Sequence, residues 1–344
     1  MKYLLDYSLN ELKELLESMG EKPFRAGQLY SWLTQCASFE QMSNLSKPLR
    51  EKLRAEYLEG YPEVLERLYS RDGTQKFLLE LRDGNMVECV LMQYMYGKTL
   101  CISTQAGCAM GCAFCASTRG GLRRNLTAGE ILGQVLRVNA LLGGGRSITN
   151  VVLMGTGEPL ANYDSVVKFL RLLHQKESLG VSMRNISLST CGLVPEIYRF
   201  AKEEFQATLC LSLHSAIQQK REEIMPIAKK YALPQVIEAM HEYGKSSGRR
   251  VIYEYILIAG FNDTKRDLDA LADLLSGQNC HINLIPCNQT DGRFVAPSQG
   301  RVSHFLEELK KRSLSATVRR TLGEDIEGAC GQLRARYLGM QGGF

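Results

Sequence analysis

The sequence predicts an α/β fold in which a parallel sheet follows a small helical module. Three observations carry that reading. Six β-rich runs recur between residues 99 and 286: TLCIST (99–104), ITNVVLM (148–154), NISLST (185–190), ATLCLSLH (207–214), VIYEYIL (251–257) and HINLIP (281–286). Helical periodicity fills the gaps, and strand–helix–strand units of this kind cross over right-handedly into parallel sheets. Polar and glycine-bearing motifs follow several of the runs, at the strand ends where ligands gather in doubly wound sheets and β/α barrels alike.

In chain order, the first ~60 residues read as helices. Leu9, Leu12, Leu15 and Leu16 keep helical spacing, Gly20 supplies a stop, and a second helix starts near Arg25. With 8 basic and 9 acidic residues over positions 1–60, this module is no basic arm. Residues 65–98 alternate in the strand manner, with Asp72-Gly73 and Asp83-Gly84 as hairpin turns. Thr127-Ala-Gly-Glu130 is a capping-box start for a helix with Ile131, Leu132, Val135, Leu136, Val138 and Leu142 on its apolar face. Spacing alone leaves open whether the six units form a doubly wound sheet or an incomplete barrel. No solenoid repeat or low-complexity linker interrupts them.

The 344 residues are 44% apolar and 23% charged, with a mean hydropathy of −0.17, which excludes disordered and fibrous classes. No apolar run reaches the roughly 18–20 residues of a membrane span. The N-terminus is charged throughout and lacks an apolar signal core, so a cytoplasmic chain with no membrane partner is expected. The balance of 42 basic to 37 acidic residues permits a nucleic-acid partner without requiring one. Eleven cysteines, an odd number, point to a reducing compartment rather than a disulfide scaffold. Four of them crowd into residues 101–115.

Cys108-Ala-Met-Gly-Cys112-Ala-Phe-Cys115 follows the first strand of the series. Three soft thiolates at this spacing suit an iron–sulfur cluster or a zinc ion. A structural zinc needs a fourth ligand, and no second close-spaced pair supplies it. Three ligands leave one position open for reactivity. Gly155-Thr156-Gly157-Glu158-Pro159 ends the second strand. Leu160 occupies the third glycine position of a dinucleotide fingerprint and no Gly-Lys-Ser/Thr follows, so it is neither that motif nor a Walker loop. Glycines beside a carboxylate suit a ligand amino group approached by backbone. Ser189, the Ser212-Leu213-His214 run and Asn288 also stand at predicted strand ends.

The cysteine spacing, with an aromatic residue before the last cysteine, resembles the radical S-adenosylmethionine superfamily. That resemblance implies a partial (β/α)6 barrel and a [4Fe–4S] cluster on Cys108, Cys112 and Cys115. The open iron would bind the amino and carboxylate groups of S-adenosylmethionine, whose reductive cleavage gives a 5′-deoxyadenosyl radical. Gly157 and Glu158 would match the element that holds the methionyl amino group. Cys101-Ile-Ser-Thr-Gln-Ala-Gly-Cys108, Arg124-Asn-Leu-Thr127 and the stretch from Thr317 through Cys330 to Leu333 narrow the likeness. They resemble the RlmN/Cfr family of RNA adenosine methyltransferases over nearly the whole chain.

From this family resemblance follow a helical accessory RNA-binding domain at 1–62, a β-hairpin extension at 63–98, a barrel at 99–315 and a C-terminal segment at 316–344. It makes Cys330 the methyl carrier, Cys101 the resolving thiol and Glu88 the base. Gly157, Glu158, Ser189, Ser212, Leu213, His214 and Asn288 would contact S-adenosylmethionine, two molecules of which are used per turnover. An adenine carbon is electrophilic, so an electrophilic methyl group has the wrong polarity for it, whereas a thiolate can take that methyl first. The resemblance implies a thiomethylene radical that adds to the base, a transient protein–RNA adduct, and release by Cys101 with a Cys101–Cys330 disulfide. Partners implied are 23S rRNA, tRNA and an external reductant such as flavodoxin, and a monomer is expected.

Read without that likeness, Cys101 and Cys330 are buried structural cysteines, as are Cys36, Cys89, Cys191, Cys210, Cys280 and Cys287, and Glu88 is a surface strand residue. Arg119, Arg123, Arg124, Arg319, Arg320, Arg334 and Arg336 surround the expected site mouth and are expected to meet phosphates. Ala106 and Pro159 favour adenine-C2 over the C8-methylating Cfr branch, which typically has cysteine and alanine there. Thr156, Ala116-Ser117-Thr118 and Cys287 depart from the commonest family pattern. A rival of another class is a non-catalytic Fe–S RNA-binding protein, which gives Cys101, Cys330 and the Gly-Glu-Pro loop no purpose.

Overall fold

The computed structural model describes residues 2–288 and 293–328. The N-terminal module opens with β1 (Lys2–Tyr3), followed by α1 (Leu9–Ser18), α2 (Phe24–Thr34) and α3 (Lys47–Glu56), and β2 (Tyr57–Leu58) returns parallel to β1. Ser8 starts α1 with a capping box: its hydroxyl accepts from the Glu11 N–H at 3.3 Å, and the Glu11 carboxylate accepts from the Ser8 N–H at 2.6 Å.

An antiparallel meander follows, β3 (Glu63–Tyr69), β4 (Gln75–Glu80) and β5 (Met86–Tyr94), turning at the two predicted Asp-Gly pairs. β6 (Gly97–Cys101) pairs antiparallel with β5. A short antiparallel ladder of β7 (Gln105–Gly107) and β8 (Leu122–Asn125) closes the cysteine loop. Then come α4 (Ala128–Leu141), β9 (Asn150–Leu153), α5 (Tyr163–His174), β10 (Ile186–Thr190), α6 (Val194–Ala201) and β11 (Thr208–Ser212). The chain continues through α7 (Gln218–Ile224), α8 (Leu233–Ser247), β12 (Val251–Leu257), α9 (Lys265–Leu275), β13 (Cys280–Pro286), α10 (Gln299–Lys311) and β14 (Ala316–Val318).

One ten-stranded sheet runs β14-β13-β12-β11-β10-β9-β6-β5-β4-β3. From β6 to β14 all neighbours are parallel, so the six predicted strands form the expected partial barrel. A seventh parallel strand, β14, lies beyond the predicted set. It is three residues long with only Ala316 buried, and no apolar run marks it.

The module is seated on α4, which explains why that helix is buried on nearly every side. Its capping box forms as predicted, and of its apolar face only Leu142 is half-exposed. Residues 4–6 and 60–62 cover the flank at Gly129 and Gly133, while the buried Glu130, Gln134 and Asn139 are engaged by Arg124, by Ser103 and by residues 145–148. The Asp6 carboxylate accepts from the Gly129 N–H at 2.6 Å, satisfying an orphan donor at the helix start. Two turns of α4 carry glycine where the module touches. A Cβ on Gly133 would stand 2.7 Å from the Gly60 carbonyl oxygen. Gly133→Val therefore overpacks this seam. It is expected to cost about 1–3 kcal/mol and to speed proteolytic release of the module, as read by thermal melting and limited digestion. Unchanged melting and digestion would show that the seam tolerates bulk.

Candidate active site

The site grows from two strand ends. Beyond β6 and β9, residues 102–105 and 155–158 meet backbone to backbone. The Gly155 N–H donates to the Ile102 carbonyl at 3.0 Å, and the Thr104 and Gln105 N–H groups donate to the Thr156 carbonyl at 2.9 and 3.2 Å. A Cβ on Gly155 would lie 2.6 Å from the Ile102 oxygen, and one on Gly157 (φ +113°) would lie 2.7 Å from the Gln105 Cβ. These glycines answer first to the chain's own crossing, not to the approach of a ligand that the sequence suggested. The crossing aims Glu158. Its Oε1 accepts from the Leu160 N–H at 3.1 Å and its Oε2 from the Cys191 N–H at 2.8 Å. Burial nevertheless raises its pKa, against the lowering by these hydrogen bonds.

Glu158 borders a cleft of about 930 Å3 at the C-terminal ends of the parallel strands. The structure brings Cys108, Cys112 and Cys115 into this cleft together with Gly157, and sets Ser189, Ser212, His214 and Asn288 around them. Leu213 is the exception. It is fully buried and does not line the cleft, because the residue between Ser212 and His214 points into the core. Sequence reasoning missed Glu254, Cys191 and, as a cleft residue, Arg319. Glu254 accepts from the Ser189 hydroxyl at 2.7 Å and from Arg319 at 3.4 Å. A lone glutamate inside VIYEYIL was the available signal, since an acidic side chain amid an apolar strand must find partners.

His214 is held in one state. Its backbone is left-handed (φ +59°), a conformation that non-glycine residues adopt at a cost. Asn262 donates to its carbonyl at 2.7 Å, and its own N–H donates to the Glu254 carbonyl at 3.1 Å. Nδ1 accepts from the Ile256 N–H at 3.0 Å, which leaves the proton on Nε2. Burial, assisted by the Arg221 charge, pushes the ring pKa down to about 3, so the imidazole is neutral at physiological pH. Phe114, from the cysteine loop, meets the ring edge-to-face at 4.7 Å.

The three thiols are a fitting donor set for a cluster. Burial pushes Cys108 up to about 11 and Cys112 well above the ordinary range, with nearby thiols adding to both, so cationic metal is needed to offset the thiolate charge. Among the described residues no three His, Cys, Asp or Glu side chains converge as the ligands of a single ion would. Three soft thiol donors at one cleft are the donor set that an iron–sulfur group takes.

A second cavity of about 450 Å3 adjoins the first, sharing Ile285, Asn288 and Arg319 with it. Cys101, buried at the end of β6, lines it with Val90 and Met92. Glu88 lies on the same face of β5 as those two residues and is 1% exposed, with Lys76 Nζ 3.3 Å away, where a surface position was expected. It lines neither cavity. Cys330, Arg334 and Arg336 lie outside the described residues. Gly328, two residues before Cys330 in sequence, lines the second cavity.

Arg124 and Arg319 are not open phosphate contacts. Arg124 forms a two-pronged pair with Glu130 at 2.7 and 2.9 Å and also binds Asp83, while Arg319 faces Glu254. Arg119, Arg123 and Arg320 are exposed. Of the remaining cysteines, Cys89, Cys210, Cys280 and Cys287 are buried and Cys36 is half-buried, whereas Cys191 reaches the cleft.

Comparison with known proteins gives a consistent result. Residues 2–58 match the family described as "Ribosomal RNA large subunit methyltransferase N-terminal domain", and residues 102–275 match "Radical SAM superfamily". A "Probable dual-specificity RNA methyltransferase RlmN" of Clostridium perfringens (strain 13 / Type A) is 49% identical over 346 residues, covering 99% of each chain. A protein of the same name from Bacillus pumilus is 45% identical over 340 residues, covering 98% of this chain and 94% of that one. The solved radical SAM methyltransferase from Sphaerobacter thermophilus superposes with a TM-score of 0.94 at 41% identity, covering 98% of this chain and 100% of that one.

The buried neutral His214 makes a measurable contribution to acid sensitivity. Its pKa falls from 6.5 to about 3, so between those values the unfolded chain takes up a proton that the folded chain refuses. Folding stability is therefore lost as pH drops below 6.5, by up to about 1.4 kcal/mol per pH unit. His214→Asn should narrow the difference in unfolding free energy between pH 7 and pH 5 by about 2 kcal/mol, measured by denaturant titration. An unchanged pH slope would mean that the ring already ionises in the folded state.

Proposed function

The chain belongs to the RlmN family of radical SAM, S-adenosylmethionine-dependent RNA methyltransferases, and on that premise we propose that it methylates C2 of adenosine in both 23S rRNA and tRNA. The rRNA target is placed in the peptidyl-transferase region and the tRNA target at the adenosine 3′ of the anticodon, in a cytoplasmic setting. One observation carries the reading: the cysteine cleft adjoins the cavity of Cys101, with Ile285, Asn288 and Arg319 common to both. An electron carrier has no use for the second cavity.

In this reading Cys108, Cys112 and Cys115 hold the [4Fe–4S] cluster, which with S-adenosylmethionine supplies the methyl carbon and a one-electron route to a hydrogen-abstracting radical. Glu158 has a backbone donor on each carboxylate oxygen and would supply the negative charge for an ammonium group. Neutral His214 offers an Nε2 proton, and Ser189, Ser212 and Asn288 complete the polar wall. Cys330 accepts a methyl group as a nucleophile and presents the carbon to the base. Glu88, kept close to the cation of Lys76, takes the proton from C2. The one electron that radical addition leaves on the base would return to the bound cluster as the C2 proton is lost. The Cys101 thiolate then attacks the Cys330 sulfur. The S–S bond forms as the C–S bond breaks, the electron pair stays with the product carbon, which takes up a proton to complete the methyl group, and an external reductant reopens the disulfide. The helical module, residues 1–62, would contact RNA by shape more than by charge.

Nucleoside mass spectrometry of rRNA and tRNA from a deletion strain tests the reading. Loss of 2-methyladenosine from both supports it, and loss of 8-methyladenosine instead would transfer the chain to C8 chemistry. Within the site, Cys101→Ala should leave enzyme covalently joined to RNA, seen as a nuclease-sensitive upward shift on a denaturing gel. The shift should vanish in Cys101→Ala/Cys330→Ala and in Cys108→Ala, and Cys108→Ala should also lose the brown charge-transfer absorbance. Normal turnover by Cys101→Ala would remove the resolving role.

A further inference from the structure

Arg221, on α7, is a buried cation that no carboxylate among the described residues neutralises. It is 0% exposed. Its Nε donates to the Leu213 carbonyl at 3.1 Å, and its Nη2 donates to the carbonyls of Cys191 at 2.7 Å and Ser212 at 3.3 Å. Nη1 is buried with no hydrogen-bond partner. Three carbonyls could be satisfied by a neutral donor. A full positive charge in the interior is strongly disfavoured unless a negative charge faces it.

The surroundings show where such a charge would come from. α7 lies beneath the cysteine loop: the Ala113 N–H donates to the Ile224 carbonyl at 2.9 Å, one turn on from Arg221. Cys112, Ala113 and Phe114 pack on Ile224 and Met225. The field of Arg221 reaches the Cys112 and Cys191 sulfurs. The side chain does not line the cleft, so it touches neither S-adenosylmethionine nor RNA.

We propose that Arg221 is a positioning residue whose guanidinium is the fixed counter-charge of the cluster assembly on Cys108, Cys112 and Cys115, drawing its reduction potential upward. This rests on the cluster assignment made above. Thiolates and sulfide make the assembly anionic, and reduction adds a further negative charge. A cation fixed in a low-dielectric interior stabilises the reduced form more than the oxidised one. Its three hydrogen bonds also hold together the ends of β10 and β11, which carry Ser189 and Ser212.

The test is an anaerobic redox titration, followed by electron paramagnetic resonance, of the full-length reconstituted protein and its Arg221→Lys, Arg221→Gln and Arg221→Met variants. The lysine variant should stay near the wild-type midpoint. The glutamine and methionine variants should both shift to more negative potential by similar amounts, although only one of them can hydrogen-bond. Their melting temperatures should fall further in the loaded protein than in the cluster-free protein. Unchanged midpoints in the neutral variants overturn the proposal. So does failure of those variants to fold without the cluster, because Arg221 would then be a keystone of the core. Wild-type protein that takes up no iron would instead remove the cluster assignment itself, a result separable from either outcome for Arg221.

Discussion

The close crossing of residues 102–105 over 155–158 is the contact on which the rest of the site depends. Ser103 is its centre. Its hydroxyl donates to the Glu88 carbonyl at 2.8 Å and accepts from the Thr156 N–H at 3.0 Å. Its backbone is read on both sides by the buried Gln134 of α4, at 3.0 and 2.8 Å. One residue thus ties together β5, α4 and the loop after β9. Cys101 and Cys108 stand at the two ends of the same short segment, so pinning Ser103 sets the cysteine of one cavity relative to the first cysteine of the other. Any side chain at Gly155 would push the loops apart and carry Glu158 away from the cleft.

Legibility in the sequence followed how local each signal was. The six parallel strands, the hairpin turns and the Thr127 capping box rest on periodicity and neighbouring residues, and these were readable. The cysteine triad, Gly157 and Glu158 were readable because their spacing is local. Arg221 was not, because its significance comes only from strands and loops distant in sequence, and Glu254 left only the hint of one acid in an apolar strand. Helix α7 reads QQKREEI, with no apolar stripe to mark one face as buried, yet its arginine is fully enclosed. The neutral charge of the first 60 residues also has a physical account, since much of the module's surface is spent on α4 and α5. Lys168 of α5 meets Glu11 at 2.8 Å, and the Tyr30 hydroxyl donates to Gln175 at 3.0 Å.

The cleft is electrostatically divided. Glu158 and Glu254 place carboxylates in its wall, Arg319 answers Glu254, and His214 contributes a dipole instead of a charge. A cavity built this way suits a ligand carrying both signs of charge, since a net-charged wall would hold one end of it and repel the other. Keeping His214 neutral matters to this balance. An imidazolium there would add a second cation beside Arg221 with no further carboxylate to offset it.

The antiparallel meander is more than an extension of the barrel, because it holds the chain that leads to Cys330. Asp72, in the β3–β4 turn, accepts from the Gly323 N–H at 2.9 Å. Burial opposes ionisation of this carboxyl, but hydrogen bonds from Thr74 and Gly323 outweigh it and hold the pKa at about 2. Asp325 returns the contact, accepting from the Ser70 hydroxyl and from the Arg71 N–H at 3.2 Å. Lys76, the partner of Glu88, donates to the Glu327 carbonyl at 3.3 Å. The same lysine therefore touches both the proposed base and the backbone of Glu327, three residues before Cys330 in sequence. Lys76 thus joins the proposed base to the stretch that leads to Cys330, the proposed carrier, through a buried ion pair between β4, which lines neither cavity, and β5, whose Val90 and Met92 line the second.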